Sequence, residues 1–246
     1  DEIQAVFIST PEYLHRETVV AASQEKGRLF GKQMAPTMKK VDDIIEAAEE
    51  NGKLLQSGLV YRYARFIKNE RVDCQGRIRE SSNVWCKEFR LSFPPKPLTI
   101  LKGTGGALGE KDCHHFDLFN WMIGSKPLRV CAFGGRYVLI PEVIIFGQWL
   151  EREREIIDYG DNIDHAWIIG EYENKARVQL VYVFSVLNCE MEDFGIGTIG
   201  TNGRMMLSDV GTGLINIYGG EHPDQVTYNI KQESNLRILA HAGGME

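Results

Sequence analysis

The stretch Ile3-Gln4-Ala5-Val6-Phe7-Ile8-Ser9-Thr10-Pro11 decides how the chain is read. An apolar run breaks into serine, threonine and proline, and a helical pattern follows to about residue 22. This spacing predicts a buried strand feeding a helix, with Thr10 as N-cap and Pro11 at the first helical position. Free backbone N–H groups at such a helix start face the carboxyl end of the strand, where open α/β sheets bind ligands. Working outward, Gly27-Arg28-Leu29-Phe30 reads as a second short strand and Gly31-Lys32-Gln33 as a loop. Residues 37–51 read as a helix, because Val41, Ile44, Ile45 and Ala48 recur on one face and Gly52 closes it. Residues 53–63 read as a third strand. Strand, helix, strand, helix, strand is the order of a parallel sheet flanked by helices.

Past residue 63 the pattern changes. Residues 65–80 are charged and predict a helix with a loop. Residues 83–93 alternate, with Val84, Cys86, Glu88 and Arg90 against Trp85, Lys87, Phe89 and Leu91, and end in Phe93-Pro94-Pro95-Lys96-Pro97, a polyproline-like loop. Residues 128–133 read as a strand, 166–172 and 176–184 as a hairpin turning at Glu173-Asn174-Lys175, and 195–207 and 214–218 as further strands. The fold class expected is therefore α/β, a parallel sheet followed by an α+β domain with a large, mostly antiparallel sheet. The boundary falls near residue 60, giving domains 1–60 and 61–246.

Of 246 residues, 43% are hydrophobic and 25% charged, enough apolar material for a substantial core. A net charge of -6, with no basic cluster interleaved with aromatics, argues against a nucleic-acid partner. No apolar run spans a bilayer, and the first residues lack the layout of a secretion signal, so no membrane role is expected. Five scattered cysteines fit reduced thiols in a cytoplasm.

Residues 105–124 concentrate ionisable groups inside an apolar helical pattern opened by Gly105 and Gly106 and closed by Gly124. Phe116, Phe119 and Ile123 form one face. Glu110, His114, Asp117 and Trp121 follow along another at i, i+4, i+7 and i+11, which suits the presentation of an acid/base imidazole with a carboxylate on either side. A structural histidine, satisfied within the core, fits the same pattern. No metal site is expected on Cys113, His114 and His115, because adjacent residues of a helix point in different directions and no Cys-x-x-Cys or His-Glu-x-x-His spacing occurs. Nor does a strand-then-helix Gly-x-Gly-x-x-Gly turn occur: Gly103-Thr104-Gly105-Gly106 lacks the context, and Gly195-Ile196-Gly197-Thr198-Ile199-Gly200 lies among strand-like segments. Since the chain opens partway through the sheet pattern, a nucleotide fingerprint is expected to precede Asp1.

Taken in order, these pieces resemble the glucose-fructose oxidoreductase and inositol dehydrogenase (Gfo/Idh/MocA) family of NAD(P)-dependent enzymes. The residues carrying the resemblance are Ala5 through Pro11 with His15, Arg28 through Ala35, Gly58-Leu59-Val60-Tyr61-Arg62-Tyr63, the stretch from Gly105 to Asp117, and the Gly200-Thr201-Asn202-Gly203-Arg204 turn. The resemblance implies the C-terminal part of a Rossmann-like sheet ahead of a substrate-binding and oligomerisation domain. It further implies a sugar, inositol or related polyol as substrate and NAD or NADP as cofactor. His114 would be the acid/base, Glu110 would orient it, and Lys32 would stabilise the reacting oxygen and touch cofactor. Ser9, Thr10, Pro11 and His15 would border the cofactor; Arg62 would meet substrate or, in the plainer reading, form an ordinary surface salt bridge, and Asp117 would fix the substrate's other hydroxyls or simply brace its helix. Gly31-Lys32-Gln33 stands where members carry Glu-Lys-Pro, and Asp112 where a small residue is usual, departures that count against activity; because the first βαβ unit of the family, with its pyrophosphate site and ribose acid, is not in the pattern, weak NAD(P) binding is expected. The alternatives are an inactive sugar-binding or dimerisation module and an NAD-dependent glycosidase of the same family. A homo-oligomer, dimer or tetramer, through the large sheet is expected.

Overall fold

The computed structural model describes residues 4–25, 28–31, 34–63, 77–91, 105–137, 162–186, 193–207, 214–220 and 225–229. The chain divides into two compact units, and among the described residues the first takes those up to Leu59 together with 105–113 and Asn162.

In the first unit β1 (Ala5–Ile8), β2 (Arg28–Gly31) and β3 (Leu55–Ser57) form a parallel sheet in the order β1-β2-β3. Each crossover carries a helix, α1 (His15–Ser23) and α2 (Met38–Glu50), as parallel neighbours require. The Thr37 hydroxyl accepts from the Lys40 N–H at 3.4 Å to cap α2, and Gly52, with φ of 59°, turns the chain out of it. Val41, Ile44 and Ala48 face inward as their spacing predicts, and Ile8, Val19, Ala35 and Ile44 make the core with Val6, Ala22 and Leu55 around them. Ile45 is 37% exposed, at the edge of the apolar stripe.

Two expectations for this unit need correction. The third strand ends at Ser57, and Val60–Tyr63 forms a 3-10 turn in place of a continuing strand. Thr10 is not an N-cap: a 3-10 turn, Glu12–Leu14, precedes α1, Pro11 stands before it in an extended conformation, and no side chain caps it. Here the Pro11 carbonyl accepts from the Leu14 N–H at 2.9 Å, which uses one of the donors expected to stay free.

The second unit is built on an eight-stranded sheet: β4 (Ser81–Leu91), β5 (Pro127–Gly135), β6 (His165–Tyr172), β7 (Arg177–Val186), β8 (Asp193–Gly200), β9 (Gly203–Leu207), β10 (Leu214–Gly219) and β11 (Gln225–Asn229). Their order is β11-β10-β9-β8-β4-β7-β6-β5, with β4 and β7 the one parallel pair among the described residues. The β6–β7 turn falls at Glu173-Asn174-Lys175, where the Asn174 side chain accepts from the Ala176 N–H at 3.1 Å and Lys175 takes φ of 70°. Alternation places Val84, Cys86 and Glu88, Ala166 and Ile168, Val178, Leu180 and Tyr182, and Phe194 and Ile196 on one buried face. The opposite face keeps Trp167, Ile169, Ile199 and Met206 substantially exposed. Along β8, the Gly-x-Gly pattern serves packing rather than phosphate: the Trp85 ring lies 2.4 Å from where a Gly197 Cβ would sit.

Candidate active site

The single helix expected over residues 105–124 is two. Helix α3 (Gly106–Glu110) ends as the Lys111 N–H bonds the Ala107 carbonyl at 2.9 Å, and α4 (Cys113–Ile123) starts after a turn at Lys111 and Asp112. Asp112 is fully buried in that turn, and aspartate competes with the helix for backbone bonds. Glu110 is thus the last residue of α3, and His114 belongs to α4. Gly124 closes α4 as expected, with φ of 65° and its N–H on the Asn120 carbonyl at 3.0 Å.

Within the second unit, α4 lies on the buried face of the sheet, and Leu118, Phe119 and Ile123 anchor it. Tyr172 of β6 donates its hydroxyl to Asn120 Oδ1 at 2.6 Å, and burial pushes that phenol up to about 12. His114 is 1% exposed, its ring stacked on Tyr61 with centroids 4.6 Å apart and planes at 18°. Asp117, one turn on, accepts both a 2.6 Å bond from Arg62 Nε and a second bond from the same guanidinium. The Asp117 bond holds the Arg62 pKa above its ordinary value. Arg62 and Asp117 thus meet each other, a pairing that the sequence reading did not foresee. Both contacts spring from the 3-10 turn at Val60–Tyr63.

A second imidazole, His115, sits with Nδ1 3.4 Å from Glu88 Oε2, both side chains fully buried, and Phe194 and Tyr61 flank it with centroids 5.5 Å away. Sequence reasoning missed both Tyr61 and Glu88. The signal for Glu88 was its parity with Val84 and Cys86 on β4, which puts a carboxylate on the buried face. Within this unit, Glu88 and His115 each offer one atom that could ligate a metal ion.

In the first unit, Ser9 and Thr10 are exposed at the carboxyl end of β1 and Pro11 is half-buried. His15 is buried and bonds the Thr10 carbonyl through Nε2 at 2.7 Å, so it pins the turn that presents Ser9 and Thr10. An exposed hydroxyl pair there fits the border of a dinucleotide crevice. A glycine-rich cradle for the pyrophosphate is not found among the described residues of this unit. Glu110 is half-buried at the end of α3, and Lys32 lies outside the described residues.

Residues 101–237 match the family described as "Oxidoreductase family, C-terminal alpha/beta domain", designated GFO_IDH_MocA_C. The chain is 25% identical over 146 residues to 2,7-anhydro-N-acetylneuraminate hydratase of Mediterraneibacter gnavus, covering 55% of this chain and 37% of that protein. It is 26% identical over 143 residues to myo-inositol 2-dehydrogenase of Thermotoga maritima, covering 58% of this chain and 42% of that protein. Among solved structures, biliverdin reductase of Synechocystis sp. PCC 6803, in complex with biliverdin and NADP+, superposes with a TM-score of 0.70 at 16% identity, over 92% of this chain and 65% of that one.

Proposed function

Because the chain belongs to the Gfo/Idh/MocA oxidoreductase family, we propose that it forms part of an NAD(P)-dependent dehydrogenase acting on a hydroxyl-bearing carbon of a sugar, inositol or related polyol. The observation that carries this reading is the family match across residues 101–237, a stretch that contains α3, α4 and His114. The relative named myo-inositol 2-dehydrogenase supports a polyol as the substrate class.

The nicotinamide, when bound, supplies the hydride acceptor or donor. What remains is proton handling. His114 accepts the substrate hydroxyl proton as the carbonyl forms and returns it in reduction, with its ring already fixed by Tyr61. Lys32 and Glu110 keep the roles of stabilising the reacting oxygen and setting the imidazole's charge, Glu110 from outside α4. Ser9, Thr10 and Pro11 border the cofactor, with His15 holding their turn. Arg62 and Asp117 act through each other, and any hydroxyl of substrate that reaches them competes with that ion pair.

A relative named as a hydratase favours a second reading within the family, the addition or removal of water at a sugar without net oxidation. The non-catalytic module and the glycosidase of the same family stand as further outcomes of the test. We also propose that a second copy of the chain covers the sheet face bearing Trp167 and Ile169, since both are large, apolar and about half exposed. The test of the main reading is to supply NAD and NADP separately with a panel of polyols and sugars and to follow nicotinamide absorbance together with the products. Net cofactor reduction supports the dehydrogenase. Product formation without net reduction supports hydration or glycoside cleavage. No product from any substrate, with self-association retained, supports the module.

A further inference from the structure

The 3-10 turn Val60–Tyr63 meets α4 through two adjacent side chains, Tyr61 and Arg62. The Tyr61 ring lies face to face with the His114 imidazole, 4.6 Å between centroids, and the Arg62 guanidinium takes both oxygens of Asp117, one turn further along α4. A paired guanidinium and carboxylate fix distance and plane together, more tightly than a single bond or a point charge does. Arg62 follows Tyr61 directly, so fixing Arg62 on Asp117 also fixes where the Tyr61 ring can lie. Tyr61 is buried and has a second ring contact, edge-on to His115, so it cannot swing from His114 without breaking both. His114 is buried as well, and its ring plane is set by packing rather than by solvent.

We infer that Tyr61 and Arg62 are positioning residues: the turn orients the imidazole of His114, with Asp117 as the anchor point, so Arg62 works through His114 and not on substrate. This rests on the reading of His114 as acid/base for its catalytic meaning, but the orientation itself is independent of that reading. A ring misplaced by about 1 Å can cost about 100-fold in rate.

The test uses the whole chain and reads the His114 ring-proton resonances by NMR, assigned with His114→Ala, since an imidazole under an aromatic face carries a ring-current shift. Tyr61→Leu should remove that shift, and Tyr61→Phe should keep it. Arg62→Lys and Asp117→Asn should each move the same resonances while amide signals of β9 and β10 stay in place, showing that the fold holds. Arg62→Lys and Tyr61→Phe also serve if the harsher variants fail to fold. His114 resonances unchanged in Tyr61→Leu overturn the stack, and resonances unchanged in both Arg62→Lys and Asp117→Asn overturn the clamp. Where turnover is measurable, Arg62→Lys should lower kcat by about tenfold or more with KM little changed. A raised KM at constant kcat would instead make Arg62 a substrate ligand. If His114→Ala turns over normally, the acid/base reading fails, whereas the NMR outcome decides the orientation separately.

Discussion

Arg62→Met removes the cation from Asp117 and leaves a carboxylate that is 9% exposed facing an apolar side chain. Hydrogen bonds to charged groups contribute about 1.5–3 kcal/mol each, and breaking a buried pair costs about 3–5 kcal/mol. The Arg62 side chain is 39% exposed, so water already shares its charge and the cost falls below the buried figure. The expected loss is about 2–3 kcal/mol. At about 2–4 °C per kcal/mol for a unit of this size, Tm should fall by about 4–12 °C. Asp117→Asn should cost less, about 1 kcal/mol, because the amide oxygen still accepts one bond. The double variant separates pairing from packing, and the coupling between the two sites should be at least about 1 kcal/mol by chemical denaturation. A coupling below about 0.5 kcal/mol would mean that the pair behaves like an exposed surface bridge, and the reasoning from its geometry would fail.

Three further outcomes are expected. Tyr172→Phe loses the 2.6 Å bond to Asn120 and should cost about 0.5–1.5 kcal/mol at neutral pH. The Tyr172 phenol, pushed up to about 12 in the fold, holds its proton longer than the unfolded chain does, whose phenols titrate near 10. Its contribution is therefore fully present below about pH 10 and lost as pH rises through about 12, and denaturation midpoints should fall less over that window in Tyr172→Phe than in the parent. Gly203→Ala places a Cβ 2.3 Å from the Tyr218 carbonyl, a backbone atom that cannot swing away, and should destabilise the β9–β10 pairing by about 1–3 kcal/mol; a thermal melt matching the parent would sink this. Trp167→Glu with Ile169→Glu puts charge on the exposed apolar face and should shift sedimentation toward the monomer, while an unchanged sedimentation profile would remove that face as the contact between copies.

Periodicity made the parallel half legible. Val41, Ile44 and Ala48 at helical spacing, capped by Thr37 and closed by Gly52, specify α2 without help from the rest of the chain. The β6–β7 hairpin was equally local, because Asn174 builds its own turn. The candidate site was less legible. Alternation along β4 sorts Val84, Cys86 and Glu88 from Trp85, Lys87 and Phe89 but does not say which set faces inward, and the face with fewer aromatics is the buried one. The break at Lys111 and Asp112 interrupts a pattern whose apolar spacing alone would carry a helix across it. The 3-10 turn at Val60–Tyr63 reads as strand from its valine and tyrosines. What holds it is a partner fifty-five positions away, Asp117 for Arg62, and no local window contains that contact.

The most direct measurement compares the parent chain with His114→Ala for polyol-dependent reduction of NAD or NADP, followed by nicotinamide absorbance, with circular dichroism confirming that both are folded. The expected result is turnover in the parent on at least one inositol or sugar and a loss of about 100-fold or more in the variant. Equal turnover in the two proteins, or cofactor binding without turnover on any polyol, would contradict an acid/base role for His114 in an oxidoreductase.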